Sequence, residues 1–214
     1  MKVKESYNSY EMKLEIIDYY GFNGCWAITE HRNWSDAYVI RKTGYCAEIE
    51  VKVSKSDLLG ENKVIKEVLE RSDEDLYNPS LSRWKKRAKY NKHEQYLTNP
   101  TNCFKEEKSY IQQNNTPNEF YFAVPSKLGE LAKACVAGTP YGVITIGEYK
   151  YLNYYGEERT SSGFHILVKA KKLHTVKLRP IDYQHALARA FTESWNYRNE
   201  LWPDKYNLYK EKNS

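Results

Sequence analysis

The sequence predicts an α/β fold, a mixed central sheet flanked by helices, with a basic insert and a C-terminal helix. Three observations carry this expectation. Ala47 to Val53 alternates apolar and charged residues, following a short apolar run (Ala37-Tyr38-Val39-Ile40) and a polar, glycine-containing loop, the pattern of an antiparallel hairpin. Phe120 to Val124, Ser126 to Ala137 and Tyr141 to Ile146 read as strand, amphipathic helix and strand, a unit that should be parallel with a right-handed crossover. Helical periodicity near both ends of the chain supplies flanking layers.

In chain order, Tyr10 to Tyr20 places Tyr10, Leu14 and Ile17 near one helical face, and Gly21 stops that helix. Cys25 to Thr29 is a first strand, and the hairpin follows. Val64 to Arg71 reads as helical. Ser126 is placed to cap its helix, which Gly138-Thr139-Pro140 ends. Phe164 to Val168 is a candidate edge strand. Tyr183 to Trp202 is a C-terminal helix with Leu187, Ala190, Phe191 and Ser194 along one side. At 214 residues, one domain over 1–180 is expected, with a polar insert at about 64–92 and a helix and tail over 181–214 packed on or extending it.

Composition sets weaker bounds. The four cysteines at 25, 46, 103 and 135 form no Cys-x-x-Cys pair, which argues against a zinc ribbon or a disulfide framework. Cys46 and Cys135 lie in apolar stretches and read as small buried hydrophobes. No apolar run is long enough to span a bilayer and the lysine-containing start has no signal-peptide pattern, so a cytoplasmic location without membrane contact is expected. The formal net charge of +5 is compatible with nucleic acid without requiring it.

The hairpin carries the chemistry. Side chains alternate between faces along a strand, so Ala47, Ile49, Val51 and Val53 share one face while Glu48, Glu50 and Lys52 share the other. A loop from Arg41 to Tyr45 pairs Ile40 with Cys46 and sets Asp36 opposite Glu50; a loop one residue shorter would pair Asp36 with Ile49, on the wrong face. Glu-x-Lys occurs five times, ending at Lys13, Lys52, Lys63, Lys108 and Lys150, so the tripeptide alone means little. Only Lys52 has an acid placed to return alongside it. Two carboxylates on adjacent strands can hold Mg²⁺, which takes only one or two protein carboxylates. The ion polarises a phosphoryl oxygen and acidifies a bound water. A lysine two residues on shares the face and can orient that water or balance phosphate charge. A solvated, salt-bridged hairpin face would account for the same charges.

Ser35-Asp36-Ala37-Tyr38-Val39, then Ala47-Glu48-Ile49-Glu50-Val51-Lys52-Val53-Ser54, then Asp57, resembles the PD-(D/E)XK nuclease superfamily. Within it the chain is most similar to the MmcB family of DNA-repair endonucleases. Lys92-His93 with Tyr96 resembles the basic and aromatic cluster after the lysine strand. Asn118 to Pro125 and Pro140 to Ile144 resemble the next core strands. The resemblance covers most of Trp26 to Leu173. It implies a restriction-endonuclease-like fold and Mg²⁺- or Mn²⁺-dependent cleavage of DNA, with duties in repair, recombination or phage DNA metabolism. Asp36 and Glu50 then match the metal-binding acids and Lys52 the catalytic lysine. Ser35 replaces the proline of the superfamily name, Glu48 adds a second acid to the face, and about thirty residues from Val64 to Lys92 exceed ordinary loop lengths. Some members add a helical acid, for which Glu15 is the candidate.

Arg83 to Lys92 holds six basic residues in ten and no acid, with Trp84 and Tyr90 interleaved. Arg83, Lys85, Lys86, Arg87, Lys89 and Lys92 suit phosphates, Trp84 an unpaired base, and His93 a flanking phosphate. A solvated helix face fits the same residues. The leading expectation is therefore a Mg²⁺-dependent DNA endonuclease. The alternatives are a non-cleaving nucleic-acid-binding module and a protein-interaction module on the same fold. A basic stripe far from Asp36, Glu50 and Lys52 would favour binding.

Overall fold

The computed structural model describes residues 7–31, 35–70, 84–98, 116–152, 156 and 158–201; for some of these, including 30, 31, 84–88, 149–152 and 193–201, only the backbone is described. Helix α1 (Ser9–Phe22) opens on a reciprocal cap. The Asn8 side chain accepts from the Glu11 amide at 2.9 Å, and the Glu11 carboxylate accepts from the Asn8 amide at 3.0 Å. Its buried stripe is Met12, Ile16 and Tyr20, whereas Tyr10 is exposed. This corrects the face expected from sequence. Apolar residues lie on more than one side of this helix, and only contact with the sheet selects between them.

Strands β1 (Trp26–His31), β2 (Ser35–Ile40) and β3 (Cys46–Val51) form an antiparallel meander. After β3, α2 (Lys55–Leu69) and α3 (Trp84–Thr98) precede β4 (Glu119–Pro125), which pairs parallel to β3. A 3₁₀ turn at Ser126–Leu128 and α4 (Gly129–Val136) lead to β5 (Gly142–Leu152), parallel to β4. Strand β6 (Glu158–Val168) returns antiparallel to β5, and α5 (Pro180–Leu201) follows. The spatial order of the six strands is their chain order. The expected α/β class, with a mixed sheet flanked by helices, is thus observed.

The two faces of the sheet hold separate cores. Ala37, Val39, Ala47, Ile49, Val51, Tyr121 and Ala123 pack under α1. On the other face, Phe120, Phe122, Val124 and Val143 meet Leu58 and Ile65 of α2, Tyr96 of α3 and Ala132 of α4. Tyr38, Ile40 and Cys46 meet Ala186 and Ala190 of α5, while Phe191, expected on that stripe, is exposed. Tyr38 donates to the Cys46 sulfur at 2.7 Å, and burial pushes the Cys46 thiol up to about 11.

Several sequence boundaries move. Helix α2 begins at Lys55, with Ser54 accepting from the Asp57 amide, so Val64 lies within a packed helix. Val64 and Val68 are buried against Tyr90 of α3, so this part of the expected polar insert is a core layer. Ser126 makes no side-chain cap, because the chain turns through 3₁₀ geometry first. The β5–β6 hairpin is longer than its apolar runs because Gly147 faces Gly163 where those runs end, and backbone pairing continues past them.

Gly142 offers a test of packing. A Cβ there would collide with the buried Tyr121 ring and lie 2.7 Å from the Ala170 nitrogen. Gly142→Ala should destabilise by about 1–3 kcal/mol. Gly60→Ala in α2, where nothing lies within 4 Å, should stabilise by about 0.5–1 kcal/mol. Urea unfolding of both variants checks the contrast, and equal midpoints would refute it.

Candidate active site

The β2–β3 register is the one expected: Ile40 pairs with Cys46 and Ala37 with Ile49, which leaves Asp36 opposite Glu50. Lys52 follows the end of β3, its amide donating to the Ala123 carbonyl at 2.9 Å. Glu48, Glu50 and Lys52 point toward α2 and α3, and those helices answer them with charge. The Lys52 ammonium lies 2.8 Å from Glu50 Oε1 and 3.1 Å from Glu61 Oε2. The Lys92 ammonium lies 2.9 Å from Glu50 Oε2 and 2.7 Å from Glu48 Oε1. Tyr96 donates to Glu48 Oε2 at 2.6 Å.

Glu61 is fully buried. It accepts from Lys89 at 2.6 Å through Oε2, and its Oε1 lies 2.8 Å from His93 Nε2. Since a carboxylate only accepts, His93 donates through Nε2, leaving Nδ1 for the Tyr141 hydroxyl at 2.9 Å. One connected cluster therefore runs from Tyr96 through Glu48, Lys92, Glu50, Lys52, Glu61 and His93 to Tyr141. Its three carboxylates face the ammonium groups of Lys52, Lys89 and Lys92.

Burial alone would raise the carboxyl of Glu50; the Lys92 and Lys52 charges outweigh it and hold Glu50 below the ordinary range. Glu61 is held well below the ordinary carboxylate range, with the His93 hydrogen bond and the Lys52 and Lys89 charges overcoming its burial. The same attraction raises Lys52 and Lys92 against the lowering effect of burial. These acids and amines are charged at neutral pH, in a setting where an unpaired charge would be costly.

Asp36 is held differently. Its Oδ2 accepts from the Val51 amide at 2.8 Å and its Oδ1 pairs with Lys13 of α1 at 2.9 Å. Helix α1 covers the sheet face opposite to α2 and α3. Asp36 and Glu50 are therefore neighbours in register whose carboxylates are drawn to opposite sides, which corrects the expectation that they converge on one face to share a cation.

Two residues assigned to nucleic-acid contact need correction. His93 is fully buried and Lys92 nearly so, and both bond inward to acids rather than facing a phosphate. Helical periodicity explains this. Lys89, Lys92, His93 and Tyr96 are spaced three to four apart on one side of α3, and Lys89, though part-exposed, also bonds inward to Glu61. Arg83 and the side chains of Trp84, Lys85, Lys86 and Arg87 lie outside the described residues. So do those of His31 and Lys150. Glu15 is half-buried on α1, but the residue of that helix that pairs with Asp36 is Lys13.

Sequence reasoning placed Tyr96 in the cluster after the lysine strand but assigned no site role to Lys13, Glu61 or Tyr141. For Glu61 a signal existed. Leu58, Glu61, Ile65 and Val68 are spaced three to four apart, so an acid sits on the apolar stripe of α2. Such an acid must have buried partners.

No family model matches the chain, and no curated protein does. Among solved structures it is similar to the SPO1766 protein of unknown function from Silicibacter pomeroyi, at 12% identity with a TM-score of 0.47, covering 95% of this chain and 96% of that one.

Proposed function

We propose that this chain is a metal-dependent DNA endonuclease of the PD-(D/E)XK type, with Asp36 and Glu50 as metal-binding acids and Lys52 as the catalytic lysine. One observation carries the reading: Glu50 and Lys52 share the charged face of β3 with the ammonium 2.8 Å from the carboxylate, while Asp36 stands at the neighbouring position of β2 with its carboxylate turned to Lys13. The donor chemistry suits a hard cation. Lys92 already holds a positive charge between Glu48 and Glu50. Among the described residues no group of three or more His, Cys, Asp or Glu side chains is placed to hold a metal, so an ion would rest on one or two carboxylates, as Mg²⁺ commonly does. It would have to displace Lys13 from Asp36 or Lys92 from Glu50. When bound, the ion would supply Lewis acidity and a more acidic water.

The chain's own residues set the remaining conditions. Lys52 is directed by Glu50 and Glu61 together, and its raised affinity for protons keeps it an ammonium able to balance phosphate charge. Glu61 is itself fixed by Lys89 and His93, so Lys52 has little freedom to leave the face.

Incubation with duplex, single-stranded and branched DNA and with RNA, with Mg²⁺, Mn²⁺ or EDTA, tests the reading. Cleavage of at least one DNA substrate, dependent on the divalent ion, is expected. A second reading, binding without cleavage, is favoured by one observation: every carboxylate oxygen of Asp36 and Glu50 already has a partner within the chain. Tight DNA binding with no cleavage under any ion would select it.

A further inference from the structure

The end of the sheet farthest from Lys52 carries a basic surface that the proposed active site does not use. After β6, residues 169–179 cross beneath the starts of β5, β4 and β3. The crossing is pinned by backbone bonds from Lys171 to Pro140 at 2.8 Å, Leu173 to Asn118 at 2.8 Å and Leu178 to Gly44 at 3.0 Å. The Asn118 side chain locks it further. Its amide donates to the His174 and Val176 carbonyls at 3.1 and 2.7 Å, while its oxygen accepts from the Cys46 amide at 2.8 Å. Leu173, His174 and Val176 are buried, and the lysines that flank them, Lys171, Lys172 and Lys177, are exposed.

Lys169, Lys171, Lys172 and Lys177 are exposed, and Lys42 is exposed on the β2–β3 turn. The Lys172 ammonium sits 4.2 Å from the centre of the Tyr45 ring and that of Lys177 5.3 Å, so both charges gather over one aromatic on that turn. The chain contains no acid between Glu158 and Asp182. Of the nearby carboxylates, Glu119 pairs with Arg41 at 2.9 Å and Asp182 with Arg179 at 3.0 Å. Like charges held this closely on a pinned backbone raise the local potential and attract a polyanion.

We propose that Lys172 and Lys177, gathered over Tyr45, together with the exposed Lys42 and Lys171 on the same turn and crossing segment, form an anchoring surface for the phosphate backbone of duplex DNA. Among the described residues, none of the exposed large apolar side chains lies in 41–45 or 169–179, so these segments themselves offer no wedge for a lipid layer. Strand β3 separates it from Lys52 by roughly 20 Å, at about 3.3 Å per residue. That corresponds to about six base pairs at roughly 3.4 Å each. The inference shares its ligand with the endonuclease reading but stands without cleavage.

The test is fluorescence anisotropy of a duplex of about 20 base pairs against the full chain in EDTA, across a salt series. The parent should bind with steep salt dependence. Lys42→Ala, Lys171→Ala, Lys172→Ala and Lys177→Ala combined should flatten the log–log slope by about 3–4 and weaken binding at least tenfold, since each phosphate contact contributes about 0.9. The lysines are exposed, so thermal unfolding should shift little; should the quadruple variant prove unstable, the Lys171→Ala/Lys172→Ala pair should give about half the change in slope. An unchanged slope overturns the surface. So does a parent that ignores the duplex, or one that binds phosphatidylserine vesicles in its place. A chain that cleaves DNA with a slope indifferent to these lysines loses this inference and keeps the endonuclease reading. One that binds through them and never cleaves does the reverse.

Discussion

Asp36→Asn, Glu50→Gln and Lys52→Met are each expected to lower cleavage of the preferred DNA substrate by about 10²–10⁴-fold, the range for losing a group that manages charge or protons in the transition state. The substitutions keep side-chain volume, but Glu50→Gln and Lys52→Met each leave buried countercharges, so urea unfolding is read beside cleavage to separate lost folding from lost chemistry. Glu50→Gln removes the anion that directs both Lys52 and Lys92. Asp36→Asn releases Lys13 from its pair. Affinity for DNA in EDTA should be unchanged or higher in the two acid variants, because a carboxylate repels phosphate. Single-turnover cleavage with Mg²⁺ or Mn²⁺, read beside binding, separates the two effects. If all three variants cut as fast as the parent, the site has been misplaced.

Lys92→Met should be among the most destabilising single changes in the chain, at about 3–5 kcal/mol. The ammonium is almost fully buried and faces Glu48 and Glu50 at once. Removing it leaves Glu50 paired with Lys52 and Glu48 bonded to the neutral Tyr96 hydroxyl. A loss of that size is a large part of a typical folding free energy of about 5–15 kcal/mol. Adding Glu48→Gln should recover part of the loss, since one uncompensated charge then disappears and the two sites are in contact. Urea unfolding of the single and double variants measures this. A cost of about 1 kcal/mol or less for Lys92→Met would mean that the ion pair is solvated and contributes as a surface pair does.

The parts of the fold legible in sequence were those fixed by short-range periodicity. Alternation over Ala47–Val53 and the length of the Arg41–Tyr45 loop were enough to predict the β2–β3 register, because a one-residue slip would have buried the charged face against α1. The apolar strand at Phe120–Val124 was legible for the same reason. The α1 stripe was not, because its apolar residues encircle the helix and the sheet alone decides which are covered. In the candidate site, Asp36, Glu50 and Lys52 could be read from spacing along two strands. Their partners could not. Lys13, Glu61, Lys92 and His93 come from three helices, and the contacts that fix them span many residues of sequence. Lys92 and His93 show the cost of reading composition alone, since a run of basic residues does not reveal which of its members turn inward.

The chain-order arrangement of the strands has a kinetic consequence. The β1–β3 meander and the β5–β6 hairpin can each close over short loops, but β3 and β4 can pair only after everything between them has been gathered in. That connection contains α2 and α3, and with them Glu61, Lys89, Lys92 and His93. Long closures cost more chain entropy and slow folding. Glu48 and Glu50 can therefore sit on a formed meander in contact with water while their countercharges are still on an unclosed segment. Assembly of the charge cluster and closure of the parallel half of the sheet then become one event, and the rate at which the chain becomes competent at this site is set by its slowest topological step.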